Sequence, residues 1–304
     1  MNRKIWSTFF LIGLICSSTS AQNKKTDLHK LLAKQISGFN GTVGVYVKNL
    51  KTGEVASINA DTLFPTASLI KVPIMCGVFD AIEKGKLTYH QELIYKDSLY
   101  REGDDILGSF KDGEKISLSK VQMLSITTSD NAASLWLQSL AGSQNINSWL
   151  NANGFKNTRV NSRTIGREAM YAKYGWGVTT PREMANILVK IRYGQAISKA
   201  ASERMYRNLV RIYWDGEALS AIPPYFQVAS KQGAIDKSRS EVVLVNAPHG
   251  DYVFCVITKN QKDVGYEHDN PGFVLLRKIS AILWQYFEPA NKWKPAIGLD
   301  KYEE

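Results

Sequence analysis

Three short polar groups interrupt otherwise apolar runs of this chain, and each contains residue types that can attack carbon or move protons. The first lies in FPTASLIKVPIM, Phe64 to Met75, where Ser68 precedes Lys71 by three residues. The run reads as a helix start: Thr66 or Ser68 can cap it, and Leu69, Ile70, Ile74 and Met75 recur at helical spacing. Positions i and i+3 share a helix face, so the Lys71 amine can lie against the Ser68 hydroxyl. Alone, the same pattern describes a capping serine and a lysine that carries its charge out to solvent. The second group is Ser129-Asp130-Asn131 in LSITTSDNAASLW, and the third is Lys231-Gln232-Gly233 in QVASKQGAI. Each has a plain structural reading too, the one as a helix cap and the other as an exposed strand end. Their order is Ser68, then Ser129 after 61 residues, then Lys231 after a further 102.

The elements that must position these groups are legible as periodicities. A first helix is expected near Asp27 to Gly38. TVGVYVKNL and EVASINA alternate apolar and polar residues around Lys51-Thr52-Gly53, which predicts a β-hairpin. Near the other end PYFQVASKQGAI, EVVLVNAP and DYVFCVITKN read as three more strands, the last two joined by a His249-Gly250 turn. The chain closes with a helix over Pro271 to Phe287. Between about Ala67 and Arg211 the patterns are helical: SLSKVQMLSIT, NAASLWLQSLAG, INSWLNANG, TPREMANILVKI and SKAASERMYRNLVRI. We therefore expect an α/β (α+β) fold with one antiparallel five-stranded sheet, flanked by terminal helices and carrying an inserted helical lobe. The sheet-plus-helix lobe is drawn from 22–66 and 212–304, the all-helical lobe from 67–211. A cleft between lobes is the default site, and Ser68 sits at the first crossing into it.

The chain begins MNRKIWSTFFLIGLICSSTSAQ, with basic Arg3 and Lys4, an apolar stretch from Ile5 to Cys16 and small residues up to Ala21. This is the pattern of a secretory leader over 1–21, cleaved after Ala21, and it predicts a secreted or periplasmic protein. Acylation of Cys16 as a lipoprotein is disfavoured by the bulky Ile15 before it. Removing Arg3 and Lys4 takes the formal net charge from +10 to +8, a balance that a solvated basic surface accounts for. No basic run with interleaved aromatics points to nucleic acid, and no later segment is apolar enough to span a membrane. Cys76 and Cys255 lie in apolar runs and are expected as buried free thiols. No H-E-x-x-H or Cys/His cluster suggests a metal, no cofactor is implied, and a monomer is expected.

Taken together, the three groups resemble the S-x-x-K, S-D-N and K-T-G signature of the class A β-lactamases and related penicillin-recognising serine enzymes. The similarity runs through GTVGVYVKNLKTGEV and the TTPREMANIL helix start, so it covers nearly the whole chain after the leader. Lys51-Thr52-Gly53 is a decoy, because a hairpin turn before the nucleophile is the wrong place for the third motif. The resemblance implies a β-lactamase/transpeptidase-like fold and a nucleophile, Ser68, with Lys71 as its base. A serine needs such a base near neutral pH, and a second ammonium at Lys231 together with burial would favour a neutral amine. It further implies that Ser129 relays a proton to the leaving nitrogen and that Asn131, with Gly233 and Gln232, binds substrate. Backbone N–H groups of Ser68 and Ala234 would form the oxyanion hole. Arg239 stands where many relatives carry an arginine that pairs with a substrate carboxylate.

Two departures accompany the likeness. In the expected R-x-E-x-x-L-N loop this chain has Arg163-Thr164-Ile165, so Ile165 takes the place of the deacylating glutamate, and Val178 that of the aspartate that usually pairs with the loop arginine. Glu168 is the one nearby carboxylate that could serve instead. Gln232 replaces the threonine or serine of the third motif. The expectation is an exported serine hydrolase that opens a β-lactam amide through an acyl-enzyme on Ser68, with slow deacylation. The alternatives are a penicillin-binding or esterase-like enzyme acting on cell-wall peptides or esters, and a non-catalytic binding module on the same fold.

Overall fold

The computed structural model describes residues 28–100 and 106–302. The expected leader over 1–21 and the start of the first helix at Asp27 lie outside the described residues. Helix α1 is described over 28–36. It is followed by the hairpin of β1 (Thr42–Asn49) and β2 (Val55–Ile58). The turn between them forms because the Asn49 side chain accepts from Lys51 N and Thr52 N, while Gly53 takes φ +76°, a conformation that suits glycine.

The chain then runs through β3 (Phe64–Pro65), a 3-10 turn over Ala67–Ile70 and helix α2 (Lys71–Glu83). Next come β4 (Glu92–Ile94), β5 (Lys115–Ser117), α3 (Leu118–Thr127), α4 (Asn131–Ala141) and α5 (Ser143–Ala152). The segment continues with β6 (Arg159–Val160), α6 (Glu168–Tyr174), β7 (Gly177–Thr179), α7 (Pro181–Arg192) and α8 (Lys199–Leu209). Strands β8 (Val228–Ile235), β9 (Ser238–Val245) and β10 (Tyr252–Lys259) and helix α9 (Pro271–Phe287) complete it.

The main sheet has five strands in the order β2-β1-β10-β9-β8, antiparallel throughout, so the first and last parts of the chain meet in its middle. Period-2 alternation divides its side chains between two cores. Val43, Val45, Val243, Val245, Phe254 and Val256 face α1 and α9. Tyr46, Val242, Leu244, Val253, Cys255 and Ile257 face the inserted helices. A sheet covered on both sides explains why these strands read as nearly unbroken apolar runs. Cys76 and Cys255 are buried free thiols.

The inserted segment is not all-helical, and here the expectation needs correction. β3, β7 and β6 make a small three-stranded sheet, and β4 pairs with β5. Two or three paired residues are too short to show a period in sequence, so these strands were invisible there. Helix α2 runs through the middle of this segment and is buried on nearly every side. Gly77 permits its approach to α5, since a Cβ there would sit 2.4 Å from Ile146 Cγ1. Helix α7 starts as its sequence suggests: Thr180 accepts from Glu183 N, and Pro181 occupies the first turn. Among the described residues no helix is long and apolar enough to cross a membrane.

Candidate active site

A cleft of about 610 Å³ opens where the 3-10 turn, the turn before α4 and the edge strand β8 converge. It is lined by Ser68, Ser129, Asn131, Gln232, Gly233 and Ala234 among others, so all three polar groups of the sequence reach one place. Ser68 sits in the 3-10 turn rather than at a capped α-helix start. Thr66, the expected cap, makes no capping hydrogen bond. Two residues flanking the chemistry adopt the left-handed region without being glycine, Ala67 with φ +45° and Ser129 with φ +59°. Such conformations cost on the order of 1–3 kcal/mol and persist where the surroundings over-determine them. Gly233 explains part of that constraint: a Cβ there would lie 2.9 Å from Ser68 N and 2.9 Å from Ser240 Oγ, so only glycine lets β8 approach the Ser68 turn.

Lys71 is the first residue of α2 and is fully buried. Its ammonium donates to the Ser129 carbonyl, to Ser129 Oγ at 3.0 Å and to Asn131 Oδ1 at 2.8 Å. Lys231, also fully buried, donates to the same Ser129 Oγ at 3.0 Å, to Gln232 O at 3.0 Å and to Gln232 Oε1 at 2.8 Å. A hydroxyl has two lone pairs and one proton, so a Ser129 oxygen that accepts from both lysines has its own proton left to donate. Burial first, and the Lys71 charge second, push the Lys231 amine well below its ordinary range, with Glu217 and Glu241 working in the other direction. Asp130 holds the turn in place. Its Oδ1 accepts from Ala133 N at 2.7 Å as the cap of α4, and its Oδ2 accepts from Leu107 N at 2.8 Å.

Behind β8 lie two carboxylates that sequence reasoning missed, Glu241 fully buried and Glu217 half-buried. Glu241 on β9 accepts from Ser230 Oγ at 2.5 Å and from Ala218 N at 2.6 Å, and burial raises its pKa to about 8. Glu217 lines the cleft, and burial raises its pKa to about 7 against the pull of Lys231 and Arg277. Trp214 donates from Nε1 to Thr128 O at 2.8 Å, fastening the 213–217 loop to the turn that carries Ser129. Arg277 of α9 also lines the cleft and donates to His268 O. The stretch YWDGE held the available hint, acidic residues beside aromatics just before a 3-10 turn over Ala218–Ala221. Nothing in its periodicity brings it to β8.

Several residues singled out in sequence lie away from the Ser68 cleft. Arg239 shares the strand face of Glu241 and Val243, turned toward α9. It is fully buried, and its guanidinium donates to Ile235 O at 2.6 Å, Ser238 O at 2.9 Å and Gly265 O, while lying 4.5 Å from the Tyr266 ring centre. It therefore supports Tyr266, which lines the cleft, and does not line the cleft itself. Ile165 is 86% exposed, so its side chain fills no water site beside Ser68. Glu168 is exposed at the start of α6 and accepts from Gly166 N at 3.0 Å. Both border a separate hollow under the loop, not the Ser68 cleft. Arg163 donates to Leu135 O and to Ser139 Oγ on α4, which removes the need for a carboxylate at the buried Val178.

The family model described as "Beta-lactamase enzyme family" matches residues 25–287. Among curated proteins, β-lactamase VEB-1 of Pseudomonas aeruginosa is 23% identical over 92% of this chain and 95% of its own. β-Lactamase PSE-4 of the same organism is 26% identical over 78% and 83%. Among solved structures, PBP-A is 26% identical with a TM-score of 0.76, covering 87% of this chain and 97% of its own. A mutant of PBP-A captured as its acyl-enzyme complex with penicillin G superposes with a TM-score of 0.74 at 26% identity, covering 88% and 97%. The family match spans both lobes and every element that lines the cleft, and with the Ser68, Lys71 and Ser129 geometry it decides the assignment: this chain belongs to the β-lactamase enzyme family, as a class A β-lactamase-like serine enzyme.

Proposed function

We propose that the protein acylates on Ser68 and so opens β-lactam amides, or related cell-wall-derived amides and esters. The observation that carries this reading is the Ser129 hydroxyl held between two buried lysines at 3.0 Å each, in the cleft that Ser68 lines. Ser68 Oγ attacks the carbonyl carbon, and its proton passes to Lys71, which is neutral at that moment. The oxyanion takes the N–H groups of Ser68 and Ala234. Ser129 then donates its free proton to the departing nitrogen and is resupplied from the lysines, so the amide bond breaks as the ester forms. The protein acts as an exported monomer, secreted or periplasmic, with no cofactor.

A second reading is favoured by one observation. Neither Ile165 nor Glu168 lines the cleft, so the described loop supplies no carboxylate to activate a deacylating water. An acyl-enzyme that lasts is the behaviour of a penicillin-binding or esterase-like enzyme with slow β-lactam turnover. Binding without chemistry is the weaker alternative, because Ser68, Lys71, Ser129, Asn131 and Lys231 are all present. Fluorescent penicillin should label the wild-type protein on the peptide that contains Ser68, and Ser68→Ala should abolish the label. Label on another residue, or undiminished label in the variant, would refute the proposal.

A further inference from the structure

The side of the cleft formed by β8 and the 213–217 loop has an unusual complement of hydrogen-bonding groups. Lys231 Nζ is met by three acceptors, Ser129 Oγ and both oxygens of Gln232, so none of its N–H bonds remains for a substrate carboxylate. Arg239 is committed to main-chain carbonyls. Gln232 turns its Oε1 to Lys231, which leaves its amide NH₂ as the free end, with no protein partner among the described residues. Glu217 lines the same cleft, and its buried Oε2 meets no donor among the described residues. A buried acceptor without a donor is costly, on the order of 1–3 kcal/mol, unless a ligand supplies one.

A free donor on Gln232 and a free acceptor on Glu217 do not suit a carboxylate, which only accepts and would meet Glu217 as a like charge. Together they match a group that presents a carbonyl oxygen and an N–H. We propose that Glu217 and Gln232 form a specificity subsite for an amide, a primary carboxamide or continuing peptide bond, where a carboxylate would otherwise stand. This deepens the acylation reading above and names the substrate class for that cleft. Arg277 also borders the cleft, and its guanidinium balances Glu217 without replacing the acceptor.

The pairing carries a pH dependence. Glu217 is faced by Lys231 from β8, Arg277 from α9, Asp215 from its own loop and Glu241 from β9, with Arg239 of β9 near enough to feel its charge. Its pKa of about 7 means that it is protonated below that value, when it donates and tolerates a carboxylate, and ionised above it, when it repels one. Affinity for a carboxylate ligand should fall as pH rises through about 7, and affinity for the matching amide should not.

The test uses penicillin G and the same molecule with its carboxylate converted to a primary carboxamide. Binding is measured by calorimetry to the full Ser68→Ala protein, so the order of affinity is readable whether or not Ser68 is the nucleophile. At pH 8 the carboxamide should bind at least ~10-fold more tightly, and Glu217→Gln should bring the pair within ~3-fold by removing the like charge. Gln232→Thr, which frees one Lys231 proton, should narrow the gap in the same direction. The proposal is overturned if the acid binds more tightly and neither substitution moves the order, or if neither ligand binds. Acylation of the wild type, followed by intact mass, judges the Ser68 reading separately.

Discussion

Two regions of the molecule, the wall of the Ser68 cleft and the wall of the separate hollow under the 163–175 loop, are built in opposite ways. On one wall Lys71, Ser129, Asn131 and Lys231 share a network whose lysines are fully buried and whose side-chain distances fall between 2.8 and 3.0 Å. On the other, the 163–175 loop is held mainly by its own backbone and by Asn161, which accepts from Arg167 Nε at 2.8 Å and donates to Gly175 O. Its candidate residues Ile165 and Glu168 face solvent. On the reading proposed above, the first wall is preorganised for attack and proton relay, the chemistry of acylation. The second, among the described residues, offers no positioned base for water, the chemistry of deacylation. A fold can thus keep one half-reaction rigid while the other is unsupported.

The largest effect that tests this contrast is on the rigid wall. Lys71→Ala should slow acylation by penicillin about 10²- to 10⁴-fold, the usual worth of a positioned base, in stopped-flow or intact-mass kinetics. A loss below tenfold would mean that another group takes the Ser68 proton. Next in size is the anchor that ties the 156–158 turn, which leads into β6, to α7. Glu183 accepts from Lys156 N, Asn157 N and Thr158 N and from Thr158 Oγ1 at 2.7–3.1 Å. Its replacement by Ala should destabilise the fold by roughly 1.5–3 kcal/mol in chemical denaturation, because several main-chain donors lose one charged acceptor. Acylation should stay within about threefold of wild type, since the lysine network is untouched. The smallest effect is expected for Glu168→Gln and Ile165→Glu, each within about threefold of wild type in deacylation. An increase of tenfold or more in Ile165→Glu would show that the loop turns inward in the acyl-enzyme, and the contrast between walls would fail.

Much of this was legible in the chain. Apolar alternation located the hairpin and the last three strands, and helical spacing located α3 to α5, α7, α8 and α9, because long segments repeat their period several times. The motif residues were legible for a different reason: a buried lysine, or a glycine on a strand that must touch another backbone, admits few substitutes. Arg239 was misplaced because strand alternation decides the face, and the face belonged to α9. The outward direction of Ile165 was not legible because local turns set a loop residue's direction, here Arg163 at φ +52° and Gly166 at φ +80°. Glu217 escaped notice because an isolated glutamate in a loop, just before a short 3-10 turn, has no period.

By itself, then, the sequence determined the five-strand sheet, the insertion between its halves and the identities of Ser68, Lys71, Ser129 and Lys231, since pattern and residue type are local properties that chain order preserves. Tertiary structure alone decided which groups share a cleft: it brought Glu217, Trp214 and Arg277 beside β8, turned Arg239 to the opposite face, and left Ile165 in water. Those outcomes depend on contacts between residues tens of positions apart, and packing and burial, not the identity of any one residue, set their energies.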